Sequence, residues 1–313
     1  MPAVPRRTLL GALLAATAAC GDTGPHGRIK LATGPTGGPY AVFGRRLADE
    51  IHRAHGDLTV QVLTTAASVA NLRMLRDGQA DLALALADSA ADAAAGTATF
   101  RQGRVPVTAL ARLYLNYLHL VVPADSVIHA PARLAGHTVS IGAAESGTSV
   151  TAERVLAAAG VRDQVRTVRL GLEESAGALR DGEIAAFFWS GGSPTRAIAD
   201  LARRTAVRLV PLGDLAAGLR HRYGPVYESV ALPAGAYGQP GPTPTVGTPS
   251  YLVCRAGLGR DTAHAVTGVL FTRRDRLPVP DAPGSRLDER YAIGTGTVPL
   301  HPGAAAYYRS VYG

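Results

Sequence analysis

Two segments about a hundred residues apart carry the same local pattern, and that pattern limits the architecture more than any other feature of the chain. Met74 to Leu86 reads MLRDGQADLALAL, and Ala178 to Ser190 reads ALRDGEIAAFFWS. Each ends a helix, turns at Asp-Gly and runs into an apolar strand. In the first, Leu72 and Leu75 carry the helix face, Asp77–Gly78 stop it, and Leu82 to Ala87 suits a buried strand. In the second, Leu179, Asp181–Gly182 and Ile184 to Trp189 play the same parts. A solenoid needs more and closer repeats, so two copies predict two similar α/β lobes. At 313 residues each lobe has enough chain for its own core.

The lobes are expected to be joined at Leu118 to Val122, the apolar run LHLVV before Pro123, with a second crossing near Tyr251 to Cys254. Lobe one is then discontinuous, residues 28–118 plus 252–313, and lobe two is 119–251. Two linking strands make a hinge. The Pro/Gly-rich segment from Pro233 to Ser250 reads as a surface connection.

Residues 1–19 read as an export signal: Arg6 and Arg7, then an apolar run from Leu9 to Ala19. That run is too short to span a bilayer as a helix. Cys20 follows Thr17, Ala18 and Ala19, which resembles the lipobox of bacterial lipoproteins, whose cysteine is acylated after cleavage. The competing reading is an ordinary cysteine within a cleaved signal, and general and twin-arginine export both stay open. The other cysteine, Cys254, lies in a strand-like run, and no disulfide is expected. Without residues 1–19 the chain keeps a net charge of about +6. Its arginines are scattered among acids and its aromatics are few, which argues against a nucleic-acid surface.

The stretch TGPTGGPYAVFGRRLADEI, Thr33 to Ile51, reads as strand, glycine loop and helix, with Phe43, Leu47 and Ile51 on one face. It lacks the lysine of a phosphate-binding loop and contains no G-x-G-x-x-G, so neither nucleotide nor dinucleotide is expected, nor any other cofactor. What remains is a helix start, with Pro39 in the first turn and Thr36 or Gly37 near the cap. Two more follow. Ser68 is placed to cap a helix carrying Val69, Leu72 and Leu75, with Asn71 in its first turn. Gly142 and Ser146–Gly147–Thr148 lead from Val139–Ile141 into a helix burying Ala152, Val155, Leu156 and Ala159. Ordinary capping explains any one of them. Three starts drawn from both lobes suit a cleft at the strands' carboxyl ends, where amide N–H groups and hydroxyls hold a carboxylate and Tyr40, Tyr114 and Trp189 form apolar walls.

Enzyme readings are weaker. Ser146 lies in A-E-S-G-T rather than G-x-S-x-G, and no histidine is placed by sequence to activate it, so a serine hydrolase is the lesser alternative. His52 and His55 share helical spacing but sit among charged residues, and no metal site is expected. His119 reads as a satisfied strand residue. Arg112, Arg169 and Arg196 are candidates for pairing with a ligand carboxylate by location only.

The ordered set TGGPY (Thr36 to Tyr40), SVANLRMLRDGQADLAL (Ser68 to Leu84), LYLNYLHLVV (Leu113 to Val122), ESGTSVTAERVL (Glu145 to Leu156), FFWSGGSPTRAI (Phe187 to Ile198), PTVGTPSYLV (Pro244 to Val253) and VPLHPGAAAYY (Val298 to Tyr308) resembles the TAXI family, the TRAP-associated extracytoplasmic solute-binding proteins. The resemblance implies an α/β, two-lobe, type II periplasmic-binding-protein fold with a hinge of two crossing strands. It implies a cleft for glutamate or a related amino or organic acid, and a separate TRAP membrane permease as partner. The contacts it implies are Gly37, Gly38 and Tyr40; Ser68 and Asn71; Tyr114; Ser146, Gly147 and Thr148; and Gly191 with Trp189. Pro39 stands where the family often has threonine or serine, Leu115 replaces a common proline, and Trp189–Ser190 replace smaller residues. The expected protein is monomeric, catalyses no reaction, and is extracytoplasmic, held at the outer face of the cytoplasmic membrane by a lipid on Cys20. Docking to a membrane sensor instead of a permease is the other binding role.

Overall fold

The computed structural model describes residues 25–279 and 287–313. The export signal expected at residues 1–19 and the lipidation expected at Cys20 lie outside them. The chain first forms β1 (Gly27–Ala32), α1 (Pro39–Ala54), β2 (Leu58–Leu63), α2 (Ser68–Arg76), β3 (Leu82–Leu86) and α3 (Ala87–Ala95), then the long β4 (Val107–Pro123). It continues through β5 (Thr138–Ser140), α4 (Gly147–Ala158), β6 (Arg166–Val168), α5 (Leu172–Arg180), β7 (Ala186–Gly191), α6 (Arg196–Arg204), β8 (Val207–Leu209), α7 (Ala216–Tyr223) and β9 (Glu228–Leu232). Finally β10 (Thr243–Arg255) returns and leads into α8 (Arg260–Thr272), α9 (Glu289–Ala292) and α10 (Pro302–Tyr312).

The repeated sequence pattern is a repeated structure. The sheet order is β2-β1-β3-β10-β4-β7-β5-β6, with β8 on β4 and β9 on β10. β1 lies parallel between β2 and β3, and β5 lies parallel between β6 and β7, so the two halves share one topology. Both Asp-Gly turns are built alike. Asp77 and Asp181 are the residues after α2 and α5, and Gly78 and Gly182 take φ of +68° and +73°. That left-handed conformation costs glycine little and reverses the chain toward β3 and β7. Arg76–Asp77 and Arg180–Asp181 pair at 2.8 Å beside the two turns.

The halves are stitched by β4 and β10, which pair antiparallel from Arg255–Val107 to Gly247–Tyr117. β10 joins β3 through Ser250 to Cys254 and β9 through Thr243 to Gly247, while β4 joins β7 through Tyr117 to Val121. The partners therefore change between Gly247 and Ser250 on β10. The register slips there too: β4 takes three residue steps, from Leu115 to Arg112, where β10 takes two, from Pro249 to Tyr251. Such a bulge bends a strand and re-aims side chains. The Pro/Gly-rich segment expected on the surface is strand from Thr243 onward, and Thr245 and Ser250 are buried. Proline survives at Pro249 because the ladder is already interrupted at the bulge.

One apolar cluster runs through both halves, from Val69 and Leu72 to Val155 and Tyr227. A second packs α1, α8 and α10 on the first half, and a third joins Leu179, Phe187 and Ile198 in the other. Cys254 carries a free thiol, fully buried, which burial pushes up to about 12. Among the described residues no helix is long and apolar enough to cross a membrane.

His119, on β4, is fully buried. Its Nδ1 faces the carbonyls of Tyr117 and Trp189 at 3.0 and 3.3 Å and so carries the proton; its Nε2 accepts from the Tyr237 hydroxyl at 3.1 Å. Desolvation lowers its pKa from 6.5 to about 4, outweighing the two carbonyl contacts. As pH falls below 6.5 the unfolded chain takes up a proton that the folded one refuses, so this group's stabilisation is lost progressively down to about 4. Urea unfolding between about pH 7.5 and 4.5 should show His119→Gln losing roughly 2–3 kcal/mol less stability than the parent over that interval.

Candidate functional site

The three helix starts meet. Gly38 caps α1, Pro39 is its first residue, and Gly37 before it has φ of +81°. Tyr40, in the first turn, is buried and shares a 2.8 Å hydrogen bond with the Ser250 hydroxyl on β10. Ser68 opens α2 after Ala67, which is the cap; the expectation that Ser68 caps the helix is thus shifted by one residue. Its hydroxyl, close to that of Tyr40, accepts the Leu86 N–H at 3.0 Å. From the other half, Gly147 opens α4 so close that a Cβ there would lie 2.6 Å from Ser68 Oγ and 2.7 Å from Leu86 Cδ1. Only glycine admits that approach.

Behind these starts, the bulged centre of β4 and β10 supplies a polar floor. Asn116 Nδ2 donates to Ser250 Oγ at 2.6 Å and to the Thr248 carbonyl at 3.3 Å. Tyr114, 1% exposed, packs edge-on against Phe43, and its hydroxyl lies near that of Ser250 but completes no hydrogen bond. Burial raises both Tyr40 and Tyr114 above the usual phenol value, so each remains a neutral donor. Asn116 and Ser250 are the site residues that sequence reasoning passed over. A polar residue inside the apolar run LYLNYLHLVV was the available signal for Asn116; Ser250 was hidden in the segment read as a surface loop.

Other expected residues have settled partners. Asn71 is spent on scaffold: Nδ2 donates to the Thr33 and Leu84 carbonyls at 2.5 and 2.7 Å, and Oδ1 accepts from Thr65 at 2.5 Å. The α2 N–H groups of Val69 and Ala70 donate to the Glu145 carbonyl at 3.0 and 3.1 Å, so the chain itself fills that helix start. Ser146 caps α4, accepting from the Ser149 N–H at 3.2 Å and donating to the Ala143 carbonyl at 2.7 Å. Its proton faces a carbonyl, not a base, which leaves the hydrolase reading without a mechanism. Thr148 Oγ1 accepts the Ser190 N–H at 3.2 Å. The Trp189 indole folds over Gly191 and donates to Thr195 Oγ1 at 3.0 Å, joining His119 and Tyr237 in a separate polar group.

The candidate arginines are committed. Arg112 pairs with Glu228 at 2.7 Å, Arg169 with Glu153 at 2.8 Å and Arg196 with Asp200 at 3.7 Å. Among the described residues no group of three or more His, Cys, Asp or Glu side chains is arranged for a metal ion. Two open grooves of about 620 and 700 Å³ lie elsewhere, one beside Arg45 and Arg276 and the other beside His129 and His137. Neither is lined by a residue of the helix-start cluster.

Two halves of one topology, joined by a pair of crossing strands with helix starts turned inward, define the two-lobe fold of the periplasmic substrate-binding proteins. The chain belongs to the NMT1-like family, which it matches over residues 31–311. Similar solved structures include XAC2383 from Xanthomonas citri bound to ATP (15% identity, 91% of this chain and 95% of that one, TM-score 0.53). Another comes from work on glutathione import via GshT and the cystine ABC importer TcyBC of Streptococcus mutans (16%, 81% and 92%, 0.52). A third is a putative L-cystine ABC transporter from Listeria monocytogenes (14%, 79% and 90%, 0.51). At these identities the likeness is one of fold.

The scaffold and cap assignments predict different losses. Asn71→Ala removes the amide that ties together the Thr33 and Leu84 carbonyls and the Thr65 hydroxyl, and should cost about 2–4 kcal/mol in urea unfolding, whereas Ser146→Ala should cost about 1 kcal/mol. Equal losses would contradict the assignment.

Proposed function

We propose that this protein is an extracytoplasmic solute-binding receptor. It encloses a small carboxylate-bearing solute, glutamate or a related amino or organic acid, between its lobes and hands it to a TRAP-type membrane permease. The observation that carries this reading is the buried Tyr114 hydroxyl, which completes no hydrogen bond although it lies beside Tyr40 of the α1 start and the Ser250 hydroxyl of the floor. Such an oxygen calls for a polar guest. Gly37, Gly38, Tyr40, Ser68, Tyr114, Gly147 and Thr148 form the proposed contact set, extended by Asn116 and Ser250. Asn71 is left out because its amide is already used, and Ser146 contributes by shaping the start of α4. With Arg112, Arg169 and Arg196 paired, the carboxylate would be held by amide N–H groups and hydroxyls.

In this reading the lobes comprise residues 28–118 plus 252–313, and 119–251. Export removes residues 1–19, and a lipid on Cys20 tethers a monomer that catalyses no reaction. The ordered motifs of the sequence favour the TRAP partner. An ABC permease is the second reading, favoured by the cystine importers named for two structures of the same fold. Uptake of the bound solute that survives ATP depletion but collapses with the ion gradient would support TRAP; the reverse would support ABC. Intact uptake with lost signalling after deletion would point to a sensor.

Native mass spectrometry of freshly purified protein, followed by calorimetry with amino acids, keto acids and dicarboxylates, tests the receptor itself. At least one should bind, and Tyr114→Phe should weaken it roughly tenfold with little change in melting temperature. Failure of every compound with solute-stripped protein would sink the uptake reading.

A further inference from the structure

Asp88 divides its carboxylate between the two halves. It stands in the first turn of α3, its side chain fully buried. Oδ1 stays at home, accepting the Ser89 N–H at 2.6 Å and the Ser89 hydroxyl at 3.2 Å. Oδ2 accepts two hydroxyls from the other half: Thr151 on α4 at 2.9 Å and Tyr227, just before β9, at 2.8 Å. Thr151 also lies 3.1 Å from the Gly147 carbonyl, at the start of the same helix.

Arg154, one turn on from Thr151, completes the group. Its Nη1 donates to the Tyr227 oxygen at 2.8 Å and lies 3.8 Å from Asp88, and its Nη2 donates to Asp92 at 2.5 Å. Its guanidinium sits 4.5 Å from the Tyr223 ring centre. Burial opposes its charge, but Asp88, Tyr227 and Asp92 together hold it above the usual arginine value. Two acids from α3 thus embrace one base from α4 in a largely buried site, with Asp88 at its sealed end. A second contact lies alongside, where the Glu145 carbonyl caps α2 and its side chain pairs with Arg73. Glu145 holds φ of +60° and the facing Ala67 φ of +89°, conformations that need the surrounding contacts to persist.

We infer that Asp88, Thr151, Arg154 and Tyr227 form an interlobe latch that favours the closed arrangement using protein groups alone. Parting the halves would strip Oδ2 of both hydroxyls and Arg154 of both acids at once. Because one carboxylate oxygen is bonded locally and the other across the gap, Asp88 is held in position for closure before the halves meet. Closure is then not left wholly to the solute, and the latch sets how often the cleft opens to admit one. This goes beyond the receptor reading and stands or falls separately, because its test requires no solute.

The test is a distance measurement. Arg46→Cys on α1 and Arg204→Cys on α6 are exposed, one on each half, and would carry spin labels in a Cys20→Ala chain stripped of solute by unfolding and refolding. Cys254 is buried and would stay unlabelled. The parent should give a dominant short-distance population. Thr151→Val with Tyr227→Phe, which keeps the shapes and removes both hydroxyls, should raise a longer-distance population, with the closed-to-open ratio falling roughly ten- to hundredfold. If the double variant fails to fold, Thr151→Val alone reports the same equilibrium with a smaller fall. Superimposable distributions for parent and folded variant, or a parent found wholly in the longer-distance population, would overturn the latch.

Discussion

Everything else in this structure depends on the pairing of β4 with β10. Two antiparallel strands belong to both halves at once, so any motion of one half against the other must bend them. The ladder is interrupted where the register slips, between Leu115 and Arg112 on β4 against Pro249 and Tyr251 on β10, and again between Ala111 and Ala109 against Leu252 and Val253. Tyr114 lies inside the first slip, with Asn116 and Ser250 beside it. A regular strand would alternate its side chains strictly between the two faces of the sheet. Tyr114 and Asn116 stand two residues apart on β4 and Ser250 meets Asn116 from β10, so three polar side chains gather at one place beside the slip. Hinge and polar floor are thus the same few residues, which gives the site a direct mechanical connection to the angle between the halves.

The polar character of this junction is hard to explain by stability alone. A satisfied buried hydrogen bond contributes about 1 kcal/mol net, whereas a buried group without a partner costs about 1–3 kcal/mol. Tyr40, Asn116 and Ser250 satisfy one another, so they cost little. Tyr114 differs, because phenylalanine would keep the edge-on contact with Phe43, whose ring centre lies 5.6 Å away, and would shed the unsatisfied oxygen. An oxygen retained against its own energetic interest, beside glycine-lined helix starts, is the kind of local inconsistency that function explains better than folding does.

Much of this was legible before any coordinates. The Asp-Gly modules gave the two halves because a helix stop, a left-handed glycine and an apolar run are all local, and local chemistry is written in sequence. The starts of α1, α2 and α4 were legible for the same reason, to within one residue at Gly38 and Ala67. What escaped depended on distant partners. Thr243 to Ser250 has the composition of a loop and becomes strand because β4 and β9 lie on either side of it. Asn71 and Asn116 share the same chemistry, yet Asn71 meets the carbonyls of Thr33 and Leu84 while Asn116 meets a hydroxyl from β10. Their difference lies wholly in the partners that folding brings to them.

The start of α2 carries that lesson furthest. A helix N-terminus is a demand for oxygen, and it does not specify whose. At α2 the demand is met by the Glu145 carbonyl from the other half, so amide groups that looked ready for a guest hold the two halves together instead. At α4 one donor is met locally by the Ser146 hydroxyl, while Gly147 lacks the side chain that would keep Ser68 away. Three starts that look equivalent in sequence therefore divide into different jobs once assembled. One clamps the halves, one sets how closely they approach, and α1 turns the Tyr40 hydroxyl toward the floor between them.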